Sequence, residues 1–229
     1  MQRFSIDEKN IVLYESTLSK AEIRSYPGQE QIGAEATPAH EVVFCVVDGA
    51  LTVTAGEERV ELGPMQGVQI PAGWAWSAQS GPAGAKVLWV DSFHPNLAAG
   101  QALLPALERL HRFDVAHDQW LVYTDYVRGG VLTFAPGFAA DKHFHQDADE
   151  IFWFFRGTCR VTTADGVAVV PAGEIVYTRP GEWHIIENAG DEPLLMFLTV
   201  TPNIVPSHTF FLPDGTPHVR NWSPLRGPR

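Results

Sequence analysis

Cysteine is scarce in this sequence, which limits its redox and metal chemistry. The two cysteines, Cys45 and Cys159, lie 114 positions apart, and no CxxC pair is present. Two isolated thiols provide neither a disulfide framework nor a cysteine zinc site. Both are therefore expected to be small buried side chains on strands.

Positive charge and long apolar runs are also in short supply. The chain has 16 Lys and Arg against 27 Asp and Glu, a net charge of −11 and a sequence pI of about 5.2. An acidic surface repels phosphate backbones and anionic lipid, so neither nucleic acid nor membrane is expected as a partner. Apolar runs such as Val42–Val47 have only strand length. No apolar signal core follows the first ten residues, which predicts a cytoplasmic protein.

Turn-forming residues divide the chain into short segments. There are 20 Gly and 17 Pro among the 229 residues, and the segments between them are rich in β-branched and aromatic residues. Examples are Leu51–Thr54, Val87–Val90, Val131–Phe134, Ile151–Phe155 and Leu194–Val200. This pattern predicts an all-β sandwich or barrel.

An internal repeat indicates two copies of one β-unit. The blocks VVFCVVDGALTV and EIFWFFRGTCRV superpose without a gap at an offset of 108, the difference between Gly49 and Gly157. Between the copies, leucines at helical spacing within Asn96–Phe113 predict an amphipathic linker helix. We expect an N-terminal domain with the linker in residues 1–110 and a C-terminal domain with the tail in residues 111–229.

The second copy contains a set of metal-ligating side chains. His143 and His145 are at positions i and i+2, so on one strand they point to the same face. Glu150 begins the next strand, and His184 follows a Pro-Gly turn that leads into another hairpin. Three imidazoles and one carboxylate suit Fe, Mn, Ni, Zn, Co or Cu rather than Mg or Ca. The sequence thus predicts one divalent transition metal with open coordination positions for substrate.

These residues carry a family resemblance. The spacing Gly137-x5-His143-x-His145-x4-Glu150-x6-Gly157 resembles the first cupin motif in every interval. Gly173-x7-Gly181-x2-His184-x3-Asn188 resembles the second motif, except that its proline is Pro180, one position later than usual. The resemblance covers roughly residues 35–203. It implies a bicupin: two tandem jelly-roll (double-stranded β-helix) barrels joined by a helical linker, with a metal held by the three histidines and the glutamate.

The first copy lacks the metal ligands. Subtracting 108 from the four ligand positions gives Glu35, Thr37, Val42 and Trp76, of which only Glu35 is a ligand type. An irregular site at His40 and Glu41 is an alternative that does not fall on the matching positions. The first barrel is expected to serve stability and dimer contacts, and the resemblance implies a homodimer.

Further residues are candidates for a substrate pocket. By alternation from Glu150, Phe152 and Phe154 should point into the barrel. Arg160 could pair with a substrate carboxylate, Tyr177 could supply a hydroxyl, and Trp183 could line the wall beside His184. The C-terminal segment, which carries His208 and His218, either folds over a barrel mouth as a lid or docks on the surface as a tail.

The function predicted from the sequence is that of a metal-dependent cupin enzyme for a small organic molecule. A dioxygenase-type oxidoreductase is the leading reaction class, by family frequency alone. An isomerase or lyase is the first alternative. A non-catalytic cupin that binds a sugar or a small acid is the second. The catalytic residues, the substrate and the native metal are not specified by the sequence.

Overall fold

The computed structural model describes residues 1–34, 40–95, 104–115 and 119–220, and the regular elements within these ranges are β-strands without a helix. In chain order the strands are β1 (Gln2–Ser5), β2 (Ile11–Glu15), β3 (Ser19–Tyr26), β4 (Gln31–Ala34), β5 (Glu41–Ala55), β6 (Glu58–Leu62), β7 (Gln66–Ile70), β8 (Trp76–Ser92), β9 (His111–Asp114), β10 (Gln119–Tyr123), β11 (Arg128–Phe134), β12 (His143–Phe144), β13 (Asp149–Arg156), β14 (Thr158–Thr163), β15 (Gly166–Pro171), β16 (Glu174–Thr178), β17 (His184–Asn188), β18 (Leu194–Thr201), β19 (His208–Phe211) and β20 (Pro217–Arg220). The predicted all-β class is confirmed.

The chain forms two compact units. The N-terminal unit comprises the described residues among 6–95 and 104–117, and the C-terminal unit those among 1–5 and 118–229. The predicted boundary at residue 110 differs from this division at both ends of the first domain. Residues 1–5 lie in the C-terminal unit, and strand β9 lies in the N-terminal unit, because each strand pairs with a sheet of that unit.

The C-terminal unit is built from two six-stranded antiparallel sheets. One has the order β1-β16-β13-β18-β11-β10, and the other has the order β15-β14-β17-β12-β19-β20. Inward-facing apolar side chains from both sheets form one core cluster that includes Phe152, Phe154, Val161 and Ile186. Alternation along the strands explains why these residues share the interior, since every second side chain points to the same face.

The N-terminal unit repeats this pattern of strands in one eight-stranded sheet. Its central path is β2-β3-β8-β5-β7-β9, with β4 paired to β8 and β6 paired to β5. Strands β5 and β13 begin at residues 41 and 149, β6 and β15 at 58 and 166, β7 and β16 at 66 and 174, and β8 and β17 at 76 and 184. Each pair differs by 108, so the repeat predicted from the sequence is present in the fold.

In each unit, one edge strand comes from the chain segment that precedes the other copy of the repeat. Strand β1 lies before the first copy in the chain, yet it pairs with β16, with Phe4 opposite Ile175. Strand β9 lies before the second copy and pairs with β7, with Phe113 opposite Gly67. The short sequences QRFS and HRFD therefore occupy matching places in the two units.

A left-handed glycine follows β13 in the C-terminal unit. Gly157 has φ +82°, and a Cβ at this position would lie 2.9 Å from the backbone oxygen of Pro193. Its counterpart Gly49 has φ +77° and likewise lacks space for a side chain, because an added Cβ would lie 2.2 Å from the backbone oxygen of Gly84. Only glycine tolerates both the conformation and the close backbone approach.

The helical linker predicted for Asn96–Phe113 is not observed in the described residues. Residues 96–103 lie outside them, residues 104–110 contain no helix, and residues 111–114 form β9. The backbone N–H of Leu110 donates to Glu58 Oε2 at 3.1 Å, and the Leu110 side chain joins the core of the N-terminal unit. At residues 111–114 the backbone pairs with β7 instead of forming helical hydrogen bonds.

Candidate metal centre

Four potential ligands converge in the interior of the C-terminal unit. His143 on β12 lies directly opposite His184 on β17, while Glu150 lies on β13 in the other sheet. Together with His145, which follows β12, they form a buried cluster whose ligand atoms all lie within 4.8 Å of one another. The convergence predicted from the His-x-His spacing and from the two motifs is therefore present in the fold.

Backbone carbonyl groups fix the orientation of all three imidazole rings. The Nδ1 atom of His143 lies 2.7 Å from Asp141 O, that of His145 lies 2.6 Å from Ser207 O, and that of His184 lies 3.2 Å from Glu182 O. A carbonyl oxygen only accepts hydrogen bonds, so each Nδ1 carries the proton and donates it. In the neutral ring, Nε2 then keeps a lone pair, as a metal-ligating histidine requires.

The atoms at the centre of the cluster lack hydrogen-bond partners. His145 Nε2 lies 3.2 Å from Glu150 Oε2, and His184 Nε2 lies 3.1 Å from the same oxygen. All three atoms are buried and make no hydrogen bond. A nitrogen lone pair that faces a carboxylate oxygen at this distance is repelled by it unless a proton or a metal ion lies between them. A divalent ion with nitrogen and oxygen ligands fits this donor set.

The pKa values of three of the four ligand side chains are shifted by burial and by the neighbouring ligands. Burial acts to raise the pKa of Glu150, but the imidazoles of His145 and His184 outweigh it and hold that pKa well below its ordinary value. Burial acts to lower the pKa of His184, but the Glu150 carboxylate raises it overall. Burial and the neighbouring imidazoles lower the pKa of His143 to about 3. His143 is thus neutral at physiological pH, and His184 is where a proton competes with a metal ion.

A cavity of about 370 Å³ borders the cluster. Both His143 and Glu150 contribute to its wall. Ten of the fifteen described residues that line it are apolar: Trp120, Leu132, Phe134, Ala140, Phe152, Ile186, Met196, Leu198, Val200 and Phe210. The volume and apolar character are those of a site for a small organic molecule.

Arg128 is a cavity residue that the sequence analysis did not identify. It is the first residue of β11 and is 1% exposed. Its Nη1 donates to Asn203 Oδ1 at 3.5 Å, whereas Nε and Nη2 are buried without a hydrogen-bond partner. Burial lowers its pKa to about 10, which leaves the guanidinium charged at neutral pH. The one signal in the sequence is a lone arginine at the start of a strand that has no other charged residue.

The C-terminal segment is neither a lid nor a surface tail in its described part. Strand β19 pairs with β12, placing Phe210 opposite His143, and β20 pairs with β19. His208 lines the cavity, with its ring centroid 5.1 Å from that of His143 and 4.7 Å from that of His145. Ser207 Oγ donates to Arg220 O and lies 2.8 Å from His208 Nδ1, so Nδ1 carries the ring proton.

Of the five pocket residues predicted from the sequence, Phe152 alone lines the cavity. Phe154 is fully buried in the core cluster behind it. Tyr177 donates its hydroxyl hydrogen to Asp149 Oδ1 at 2.7 Å. Arg160 donates to Glu187 at 2.6 Å on a partly exposed face. The Trp183 ring contacts the Lys142 ammonium at 3.9 Å, because the residue before an inward-facing histidine points the other way.

The first copy places aromatic packing where the second places ligands. Trp76 is buried and makes edge-on contacts with Phe44 at 5.1 Å and with Trp89 at 5.4 Å between ring centroids. Val42 is a core residue, while Glu35 and Thr37 lie outside the described residues. Within the described chain, His143, His145, Glu150 and His184 form the one potential ligand cluster. The alternative site at His40 and Glu41 does not form there, since His40 contacts Asp91 and Gln69 Nε2 donates to Glu41.

Comparisons with known proteins agree with this architecture. The family model described as a cupin domain matches residues 130–201. A cupin 2 conserved barrel domain protein from Leptotrichia buccalis has a similar structure, with TM-score 0.64, 16% sequence identity, and coverage of 87% of this chain and 89% of that one. A variant of the oxalate decarboxylase of Bacillus subtilis gives TM-score 0.59 and 15% identity over 87% of this chain and 76% of that one.

No curated protein matches the sequence significantly, and no helix in the described ranges has the length and hydropathy needed to cross a membrane. The matched family domain includes His143, His145, Glu150 and His184, and the fold covers both copies of the repeat. The chain thus has a cupin-like fold over both copies of the repeat, and residues 130–201 of its C-terminal unit match the cupin domain model.

Proposed function

We propose that the protein is a metal-dependent enzyme that acts on a small organic molecule in the C-terminal barrel. The observation that carries this proposal is the buried cluster of three histidines and one glutamate on the wall of an apolar cavity. Four protein ligands leave up to two positions of an octahedral ion for substrate, whereas a structural zinc site is usually closed by its protein ligands. The cavity supplies the space that such a substrate needs.

Different protein groups at this site would bind the ion, orient its ligands and contact the substrate. The three imidazoles and the Glu150 carboxylate would hold the ion, and the backbone carbonyls behind the imidazoles keep each Nε2 directed at it. A bound ion supplies Lewis acidity, and Fe, Mn or Cu supplies redox chemistry as well. The apolar walls exclude water and strengthen electrostatic contacts to a polar group of the substrate.

The proposed reaction class is that of a dioxygenase-type oxidoreductase. Lyase chemistry is the second candidate, and the similarity of the fold to an oxalate decarboxylase favours testing it alongside. An isomerase or a non-catalytic binding protein would use the same ion and cavity without consuming oxygen or releasing carbon dioxide. Homodimer formation and a cytoplasmic location stay predictions from the sequence.

The test begins with the metal content of purified protein. We expect about one transition-metal ion per chain, and its loss in His145→Ala and His184→Ala. Trp76→Phe, at the position matching His184 in the first copy, is the control and should keep the ion. Full metal content in both histidine variants would show that the cluster is not the site.

Activity is then measured with a panel of catechols, 1,3-diketones, 2-oxo acids and dicarboxylic acids. Oxygen uptake that depends on the ion supports the dioxygenase. Carbon dioxide release without oxygen uptake supports the lyase. Metal-dependent ligand binding with no turnover of any class would contradict the enzyme proposal in favour of a binding protein.

A further inference from the structure

We infer that the substrate is an organic carboxylate with an apolar body and that Arg128 binds its carboxylate group. This inference rests on the proposed function, because it names the class of molecule that the same cavity takes. Arg128 lies on the cavity wall together with His143 and Glu150. The observations that carry it are the unpaired edge of the guanidinium, the charge of the site and the apolar walls.

The guanidinium of Arg128 presents one complete edge without a partner. Its two nitrogens without hydrogen bonds, Nε and Nη2, are adjacent on the same side of the group. This is the edge that binds a carboxylate through two parallel N–H···O bonds. Among the described residues, no Asp or Glu side chain lies within ion-pair distance of it.

A buried cation without an anionic partner lowers the stability of the folded protein, so its retention in the fold indicates a function. Replacing such a charge by an apolar residue of similar volume often stabilises a protein. The side chain of Arg128 is as buried as the core leucines of the same unit. A group that destabilises the free protein in this way is typical of a binding site, where the ligand supplies the missing partner.

The charges around the cavity favour an anion. Glu150 contributes one negative charge, Arg128 one positive charge and a divalent ion two, which leaves a net charge of about +2 when the histidines are neutral. Among the described wall residues, Asp141 is the other acidic one. Its side chain is 76% exposed and lies 3.9 Å from Arg220, so it is screened by solvent and by a cation at the rim.

The remaining walls decide what the carboxylate is attached to. Apart from the indole N–H of Trp120, the ten apolar side chains offer no strong hydrogen bonds to the hydroxyl groups of a sugar, and a sugar in this cavity would lose most of its water contacts without compensation. An aliphatic or aromatic body fits them instead. The site therefore selects an amphipathic acid rather than a sugar or an inorganic anion.

The experiment compares carboxylates with their uncharged amides on metal-loaded protein. The probes are butyrate, phenylacetate and phenylpyruvate with the matching amides, and binding is measured by calorimetry with metal content determined on the same samples. Arg128→Met removes the charge at similar length, and Arg128→Lys keeps the charge but loses the two-pronged edge. Arg160→Met is the control, because that arginine pairs with Glu187 away from the cavity.

We expect the wild-type protein to bind at least one acid about tenfold or more tightly than its amide, which is the scale of one charge-assisted pair. Arg128→Met should abolish this preference with unchanged metal content, Arg128→Lys should keep part of it, and Arg160→Met all of it. As a check on a purely structural role, millimolar guanidinium should restore acid binding to Arg128→Ala.

Two results would overturn the inference. One is that metal-loaded wild-type protein binds acids no better than amides, and the other is that Arg128→Met keeps the full preference for acids. Absence of metal from the wild type would instead refute the proposed function.

Discussion

Replacing Glu150 by glutamine should stabilise the metal-free protein while weakening metal binding. In the metal-free cluster, the lone pairs of His145 Nε2 and His184 Nε2 face Glu150 Oε2 at 3.2 and 3.1 Å. A glutamine amide at this position carries two N–H donors about 120° apart, so it could donate one to each nitrogen. The same amide cannot supply the negative charge that a divalent ion requires.

The size of the effect follows from these two contacts. Each new hydrogen bond contributes about 0.5–1.5 kcal/mol, and the variant also removes a buried carboxylate without hydrogen-bonded compensation at its Oε2. We expect the metal-free Glu150→Gln protein to gain about 2 kcal/mol. For a chain of 229 residues, that gain corresponds to an increase in Tm of roughly 4–8 °C. With metal present at about a thousand times its Kd, the wild type should gain about 4 kcal/mol and become the more stable protein.

The gain of Glu150→Gln should depend on pH with a defined sign. The folded pKa of His184 is raised, so protonated His184 donates to Glu150 at low pH, and that stabilisation is lost as the pH rises through the raised pKa. The imidazoles of His145 and His184 outweigh burial and lower the folded pKa of Glu150, so its carboxylate contributes stability above its unfolded pKa. This contribution is largest while His184 is protonated. The gain of the variant should therefore be largest in alkaline buffer and shrink towards pH 5.

The assay is thermal unfolding of both proteins, chelator-treated and metal-loaded, at several pH values. Glu187→Gln is the matched control, since Glu187 lies on the same strand as His184 but pairs with Arg160 on a partly exposed face. Its Tm and metal content should stay close to those of the wild type. A metal-free Glu150→Gln protein that is less stable than the metal-free wild type at every pH would refute the account of the cluster as opposed lone pairs.

Three further predictions concern the same barrel. Metal affinity, measured by competition with a chelator, should fall by about tenfold per pH unit below the raised pKa of His184, and an affinity that is constant from pH 8 to pH 5 would contradict this. His208→Phe should keep its metal but lose at least about tenfold in substrate turnover, whereas equal turnover would remove His208 from the site. Gly157→Ala should lower the free energy of unfolding by about 1–3 kcal/mol because of its positive φ and the 2.9 Å approach to the backbone. Gly190→Ala, whose Cβ would meet nothing closer than 3.6 Å, should cost less, and equal losses would contradict the argument.

The ligand cluster could be predicted from sequence because its geometry depends on local rules. His143 and His145 share a face by the two-residue period of a strand, and the offset of 108 aligns the turns at Gly49 and Gly157. Trp183 shows the limit of such rules, since adjacency to a ligand in the sequence does not place a side chain in the cavity. Alternation directs its ring to the opposite face.

Arg128 and His208 could not be predicted because their positions depend on strand pairing over long distances. Arg128 begins β11, which pairs with β18 about seventy residues later, and His208 reaches the cavity because β19 pairs with β12. Neither residue has a motif, and strand pairing of this kind is not encoded in a local period. The prediction of a linker helix was wrong for the opposite reason. Leucines at helical spacing are present, but the backbone of His111–Asp114 pairs with β7.

The two copies differ at their centres in side-chain volume as well as in ligand type. Trp76 matches His184, and Trp89, which lies opposite Phe44 in the ladder, matches Leu198, which lies opposite Phe152. Two indole rings in the first copy thus occupy the places of one imidazole and one leucine. In the second copy Phe152 and Leu198 line the cavity, whereas in the first Phe44 and Trp89 are in contact, 4.6 Å apart between centroids.

This difference implies that the two centres serve opposite physical requirements. Close aromatic packing stabilises the first barrel by removing apolar surface from water. The second barrel keeps a cavity, three unpaired ligand atoms and an unpaired guanidinium, each of which costs stability in the free protein. Changing Val42 to glutamate and Trp76 to histidine would therefore not transfer the metal site to the first copy. Trp89 would still fill the space for a substrate, and the unpaired carboxylate would lie against aromatic rings.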